Sequence, residues 1–385
     1  MNSWKRKLVK IARHMDDKVD NITARLKQRL GANDLIHIVP YRTYGTARKI
    51  YITGRVLEDK NIASAHEADN LFTNLLNMYK RFESDEVPGA VVKIMLQDEE
   101  HFVTTDKEGF FVFNLNPEQP LITEELYHTV PVKLTEAPTR FSGETIHAEI
   151  MIPPADAEYG IISDIDDTII RTGATSLLAM GRTVLLSNAR TRLPYAGVTE
   201  FYKALQLGRN GKRNNPFFYV SSSPWNLYDL LVDFMDHNEI PAGPLLLRDF
   251  GIQSDSFVSG DYLSHKFKEI SQVLDTYPHL PFVLVGDSGE QDPPIYYEVV
   301  KQYPGRILAI YIRDVAIPEK QEQAQTISAS LKEHGVEMML TQDSVKAAEH
   351  AATIGLIYTQ KLPAIKQDKK EDKGEVAGKE EAEVI

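Results

Sequence analysis

Ten residues, Ile161-Ile162-Ser163-Asp164-Ile165-Asp166-Asp167-Thr168-Ile169-Ile170, restrict this chain more than any others in it. An apolar approach ends in three acids within four residues, and the chain then turns apolar again. Burying carboxylates side by side is very costly unless a cation or a reaction needs them. A short run that is apolar on both sides reads as a buried strand of a parallel sheet. At the C-terminal end of such a strand, the acids face the crevice where open α/β sheets bind ligands. Taken alone, the ten residues also fit a strand closed by an acidic turn or helix cap.

The pattern recurs from Tyr159 onward. Apolar runs at 160–164, 217–221, 244–247, 282–285 and 307–312 alternate with helical stretches, the signature of a parallel sheet. Helical patterns at 176–186 and 199–207 follow the first run, and a strand at 337–340 with a helix at 344–357 completes or braces the sheet. The run at 282–285 leads into Gly286-Asp287-Ser288-Gly289-Glu290-Gln291-Asp292-Pro293, a second acidic cluster able to meet the first across the crevice. Oxygen-rich clusters of that kind suit Mg²⁺. Another run ends in Ser221-Ser222-Ser223-Pro224-Trp225, where hydroxyls and backbone N–H groups can meet phosphate oxygens. Ser221 directly follows the apolar strand and is the expected phosphate-binding hydroxyl, with Ser222 and Ser223 as alternatives. Lys266 or Lys268 supplies a cation, and Arg171, Arg248 and Arg313 sit near strand ends. Asp167 reads as a turn cap, His265 as a helix-start residue and Trp225 as core.

Residues 33–155 look β-rich, with runs at 36–39, 49–56, 90–96, 102–105, 110–115, 130–134 and 145–152 and a helical period at 71–82. The turn Asp106-Lys107-Glu108-Gly109 is expected to join two strands as a hairpin, and the strand spacing predicts a sandwich. Residues 1–31 read as an amphipathic helix, with Trp4, Leu8, Ile11, Met15, Val19, Ile22, Leu26 and Leu30 on one stripe and a basic opposite face. Such a helix packs on protein or lies on an anionic membrane surface. Residues 363–385 mix charges and lack aromatics, so they read as a disordered tail. The expected division is therefore 1–31, 33–155, 156–362 and 363–385. Net charge is −12, which argues against nucleic acid as a default partner. The absence of cysteine excludes thiolate catalysis and cysteine-ligated zinc. With no spanning apolar run and no signal-like N-terminus, a cytoplasmic protein, peripheral on a membrane if the helix binds one, is the simplest reading.

Asp164-Ile165-Asp166-Asp167-Thr168 resembles motif I of the haloacid dehalogenase superfamily, Ser221 its motif II hydroxyl, Lys266 its motif III lysine, and Asp287 with Asp292 its motif IV acids. More closely, Ser221-Ser222-Ser223-Pro224-Trp225, His265-Lys266 and the loop from Gly286 to Pro293 are similar to the actin-patch-associated phosphatidate phosphatases. Val39-Pro40-Tyr41-Arg42-Thr43-Tyr44-Gly45-Thr46 and Gly54-Arg55-Val56-Leu57 resemble that family's N-terminal region, so the resemblance covers most of 35–315. The segment Thr104 to Phe111 resembles immunoglobulin- or prealbumin-like modules. The resemblance, which does not reach the first helix or the tail, implies an α/β fold with a Rossmannoid parallel sheet and a small cap; strand spacing puts a β-sandwich before it, and periodicity an amphipathic helix before that. The resemblance also implies Asp164 as nucleophile, Asp166 as acid and base, Ser221 and Lys266 as phosphate-holding groups, and Thr168 as an orienting residue on the substrate side beside Ser222 and Ser223. Mg²⁺ would be held by Asp164, Asp287, the Asp166 carbonyl and Asp292, the last directly, through water, or by positioning Lys266. The insertion between Ile170 and Val198 is only about 25 residues, which leaves an open site suited to a bulky substrate. Phosphatidate is the first-choice substrate; another phosphomonoester, or a non-catalytic adaptor role, is the competing expectation.

Overall fold

A computed structural model describes residues 35–58, 86–121, 124–138, 141, 143–166, 168–169, 195–248 and 260–372. The expected helices at 1–31, 71–82 and 176–186, together with Asp167, Arg171 and the cap between Ile170 and Val198, lie outside the described residues. No helix among the described residues is long and apolar enough to cross a membrane.

The first half is antiparallel apart from one pairing. Its strands are β1 (Ile36–Pro40), β2 (Thr43–Thr46), β3 (Lys49–Glu58), β4 (Val91–Leu96), β5 (Glu99–Thr104), β6 (Phe110–Leu115), β7 (Tyr127–Glu136) and β8 (Thr145–Met151). They run β1-β3-β2-β8-β7-β4-β5, with β6 also on β3. In β4 the residues Val92, Ile94 and Leu96 turn inward, the two-residue period of a half-buried strand. Ile50, Ile52, Phe111 and Phe113 from one end of the sheet join Val92, Ile94, Val132 and Ile150 from the other in one apolar core. Glycine is required at position 54, where a Cβ would collide with the Phe111 ring and the Val39 carbonyl.

Two local expectations change. The 106–109 turn closes on itself, through Asp106 N to Phe110 O at 2.9 Å and Gly109 N to Asp106 O at 3.1 Å, but makes no hairpin. It carries the chain from β5, paired with β4, to β6, paired with β3. The hairpin is β4–β5, whose turn places Gln97 and Asp98 at φ 49° and 67°. β2 was not expected; its Thr43 and Tyr44 pair in parallel with β8.

The second half is a six-stranded sheet in which every pairing is parallel. Its elements are β9 (Gly160–Ser163), α1 (Val198–Leu207), β10 (Phe217–Pro224), α2 (Tyr228–His237), β11 (Leu245–Arg248), α3 (Gly260–Thr276), β12 (Phe282–Asp287), α4 (Asp292–Gln302), β13 (Ile307–Arg313), α5 (Pro318–Glu333), β14 (Glu337–Thr341), α6 (Ser344–Thr353) and α7 (Leu362–Asp372). The order β11-β10-β9-β12-β13-β14 is the doubly wound arrangement, reversing between β9 and β12. Ile161, Phe217, Val283 and Ala309 face α1, α2 and α6, while Ile162, Phe218, Leu284 and Ile310 face α3, α4 and α5. Both faces are buried, which is why these strands read as continuous apolar runs.

α7 corrects the reading of a disordered tail from residue 363. Ile365 is fully buried, Asp372 accepts from Gly197 N at 2.9 Å, Asp368 accepts from Glu200 N at 3.1 Å, and Lys369 reaches Asp343 at 2.5 Å. The two acids cap the otherwise unsatisfied N–H groups that open α1. Residues 373–385 lie outside the described residues.

The segment before β3 is one place where the halves touch. Arg42 N donates to Tyr228 Oη at 2.6 Å, and its guanidinium reaches Glu149 and Asp236 at 2.9 Å. Tyr277 Oη donates to the Gly45 carbonyl at 2.8 Å.

Candidate active site

The crevice at the sheet reversal is built by β9 and β12. Asp164 N donates to Val285 O at 2.9 Å, so pairing extends one residue past β9 and delivers the carboxylate at the strand end. Ser163 Oγ donates to the Asp164 carbonyl at 2.6 Å and shares a 2.7 Å hydrogen bond with Tyr202 Oη, fixing the exit of the strand. Ile165 and Ile169 are fully buried in the apolar layer, and Ile169 N donates to Ile165 O at 2.9 Å. That single turn anchors the loop that carries Asp166 and Thr168.

Asp166 Oδ2 accepts from Ser221 Oγ at 3.0 Å and Ser223 Oγ at 3.2 Å, while Ser223 N donates to Ser221 Oγ at 2.9 Å. Lys266 of α3 is buried, and its Nζ donates to Asp164 Oδ1 at 2.8 Å, Asp292 Oδ1 at 2.7 Å and Glu290 Oε2 at 3.1 Å. Asp287 Oδ1 accepts from Gly289 N at 2.6 Å and Glu290 N at 2.9 Å. Gly286 lets α4 come this close, since a Cβ there would lie 2.9 Å from Asp292 Cγ.

Five carboxylates crowd one ammonium. Burial pushes the Asp164 carboxyl well above its ordinary range, and Asp292, Glu290 and Asp287 add to this against the pull of Lys266. Burial raises Asp287 well above its usual range too, with Asp292 and Glu290 reinforcing it. Burial alone would lower Lys266, but Asp164, Asp292 and Glu290 outweigh it and hold the ammonium well above the ordinary lysine value. His265 falls to about 4 through burial and the nearby Arg248, Lys266 and Lys268, so it is neutral at pH 7 and forms no ion pair with Glu269.

Five buried side-chain oxygens here have no hydrogen-bond partner among the described residues: Asp164 Oδ2, Asp166 Oδ1, Thr168 Oγ1, Ser222 Oγ and Asp287 Oδ2. Buried polar atoms without partners call for an explanation, and several of them clustered beside crowded charge fit a bound ligand or ion. Carboxylate oxygens of Asp164, Asp287 and Glu290 lie within 4.8 Å of one another, an all-oxygen donor set that fits a hard divalent cation such as Mg²⁺.

The expected residues mostly converge. They form two adjoining hydrogen-bonded groups, Asp166 with Ser221 and Ser223, and Lys266 with Asp164, Asp292 and, through Asp292, the Asp287 N–H, with Ser222 between the two serines. Lys268 is exposed, which leaves Lys266 as the buried cation. Asp292 Oδ1 accepts from Lys266 and Oδ2 from Asp287 N at 3.1 Å, the contacts of the alternative in which it positions the lysine. Glu290 takes its place in the donor set; it stood in the quoted acidic loop but was assigned no role. Arg313 lies against the Tyr195 ring, 3.5 Å from the centroid.

Residues 159–314 match the family model described as "Phosphatidate phosphatase APP1, catalytic domain". The chain is 28% identical over 305 residues to Phosphatidate phosphatase APP1 of Saccharomyces cerevisiae, covering 75% of this chain and 50% of that protein. It is also 32% identical over 157 residues to an uncharacterized protein of Schizosaccharomyces pombe, covering 40% of this chain and 25% of that one. This chain thus spans about half the length of the Saccharomyces relative. Among solved structures, a carbohydrate acetylesterase from Xanthomonas citri aligns over 83% of this chain and 75% of its own at 10% identity, with a TM-score of 0.28 too low to argue from.

Proposed function

We propose, starting from residues 159–314 as an APP1-like phosphatidate phosphatase catalytic domain, that this chain hydrolyses a phosphomonoester, with phosphatidate as its substrate. The observation that carries the reading is a pair of buried acids two residues apart, each with one oxygen held and one without a partner. Asp164 Oδ2 attacks phosphorus and the ester P–O bond breaks, giving an aspartyl-phosphate. Asp166, in its acid form, donates its proton to the departing alkoxide, which leaves as diacylglycerol. Asp166 then takes a proton from water, whose oxygen attacks phosphorus; inorganic phosphate leaves and Asp164 is restored. Lys266 and the Ser221–Ser223 hydroxyls hold phosphate oxygens, with Thr168 beside them. A divalent cation, Mg²⁺ in our reading, held by Asp164, Asp287, Glu290 and the Asp166 carbonyl, supplies the positive charge that lets two anions meet.

In the same reading, residues 33–155 form an immunoglobulin- or prealbumin-like module and 156–362 the phosphatase domain. The amphipathic sequence pattern at 1–31 would supply peripheral membrane contact. An open site and a lipid substrate agree, because the membrane surface itself then excludes water.

The test is phosphate release in Mg²⁺ from phosphatidate in mixed micelles, beside a soluble aryl phosphate, with Asp164→Asn as the blank. Phosphatidate should be turned over at the higher kcat/KM, and Asp164→Asn or EDTA should remove at least about a thousandfold of the rate. Release from the aryl ester alone discards the lipid. Release that Asp164→Asn does not slow discards the nucleophile.

A further inference from the structure

The serine loop runs straight into Trp225, which opens a short 3₁₀ turn at Trp225–Leu227. Trp225 is held largely by rings from the other half of the molecule. Tyr41 stacks on it at 4.4 Å between centroids and 16° between planes, and Phe110 meets it edge-on at 6.3 Å and 73°. Tyr228, 6.0 Å away, is its neighbour from the same half, and lies 4.4 Å from Tyr41.

Both rings from the β half are pinned from behind. Tyr41 N donates to Thr53 O at 3.0 Å, which ties it to β3, and the next residue, Arg42, donates to Tyr228 Oη. Phe110 lies under the Arg55 guanidinium, 4.5 Å from its centroid. Arg55 in turn donates to Glu86 at 2.9 Å and the Glu108 carbonyl at 2.7 Å. A displacement of Trp225 would therefore pass within two residues to Ser223, whose hydroxyl and N–H engage Asp166 and Ser221.

We propose that Tyr41 and Phe110 are positioning residues for the phosphate-binding loop, so that the β half builds one wall of the anion site. The proposal rests on the reading of that loop as a phosphate site. Coupling of this kind is reciprocal: an anion on the serine loop must also be felt by the aromatic bracket.

Trp225 can report on this directly, because the chain has only two tryptophans, Trp4 and Trp225. In full-length Trp4→Phe protein with Mg²⁺, titration with orthovanadate, a phosphate mimic, should change Trp225 emission with the same midpoint as inhibition of aryl phosphate hydrolysis. Tyr41→Leu keeps apolar bulk but removes the stack. An aromatic pair contributes about 0.5–1.5 kcal/mol, so vanadate Kd and ester KM should rise together by roughly two- to tenfold, with kcat moving less. Tyr41→Phe should restore both constants. Phe110→Leu should give a smaller rise of the same kind, and stands in if Tyr41→Leu does not fold. An unchanged Kd in a cooperatively folded Tyr41→Leu or Phe110→Leu variant overturns the proposal and leaves the phosphatase reading intact. Failure of the Trp4→Phe protein to bind vanadate at all overturns the phosphate reading, and this proposal with it.

Discussion

Two sets of buried polar groups, one between the β strands and one at the mouth of the parallel sheet, are treated in opposite ways. In the β half, Thr53 Oγ1 donates to Phe111 O at 2.9 Å, Thr105 Oγ1 donates to Val87 O at 2.7 Å while accepting from Ala90 N, and Arg55 is bound by Glu86 and Glu108. Each of these closes a local account between strands and loops. At the mouth of the parallel sheet, carboxylates and hydroxyls are buried just as deeply, yet oxygens of Asp164, Asp166, Thr168, Ser222 and Asp287 lack partners. Satisfied polarity holds a fold together; unsatisfied polarity beside crowded charge is tolerated where a ligand completes it.

Replacing Lys266 tests this contrast hardest. Lys266→Met leaves Asp164, Glu290 and Asp292 without their shared ammonium, which should destabilise by about 3–5 kcal/mol in urea unfolding and stop phosphate release. A variant as stable as the wild type would mean that the crevice is wet rather than dry. In the β half the mirror experiment is Thr105→Val, which loses the bond to Val87 O and strands the buried Ala90 N–H. It should cost about 1–3 kcal/mol, read as a lower Tm, with kcat on a soluble ester unchanged. A parallel fall in kcat would show that the halves are less separable than their hydrogen bonds imply.

The smallest effect belongs to α7. Asp368 is raised to about 6 by burial, with Asp372 and Glu200 adding repulsion, against an ordinary value of 3.8. The folded state therefore binds this proton more tightly than the unfolded chain does. The stabilisation is complete below about pH 4 and is lost as pH rises through 6. Asp368→Asn should flatten the fall in Tm across that interval in a pH series of melting curves; an unaltered slope would assign the fall to other groups.

The sequence made most of the second half legible because buried parallel strands are short and apolar on both faces, with chemistry at their ends. What local pattern could not reveal came from distant partners. β2 is only Thr-Tyr-Gly-Thr, and its identity as a strand comes from β3 and β8. The 106–109 turn has hairpin chemistry, but pairing with β3 sends β6 elsewhere. α7 looks like a charged tail until its acids meet the N–H groups of α1. Asp292 and Glu290 share one acidic loop, and only the position of Lys266 separates anchor from candidate ligand. Tyr41 lay inside a quoted motif, yet its role depends on Trp225, far along the chain.

The strand order has a consequence for biosynthesis. β9 lies at the centre of the sheet, but it emerges from the ribosome before both of its neighbours, β10 and β12. Asp164 meets Lys266 across a separation of 102 positions, and its crowding with Asp287 must wait longer still. Contacts this remote in sequence form late. While the chain is being made, Asp164 therefore stays in water, and the acids are driven together only after the β half can already have closed its own core.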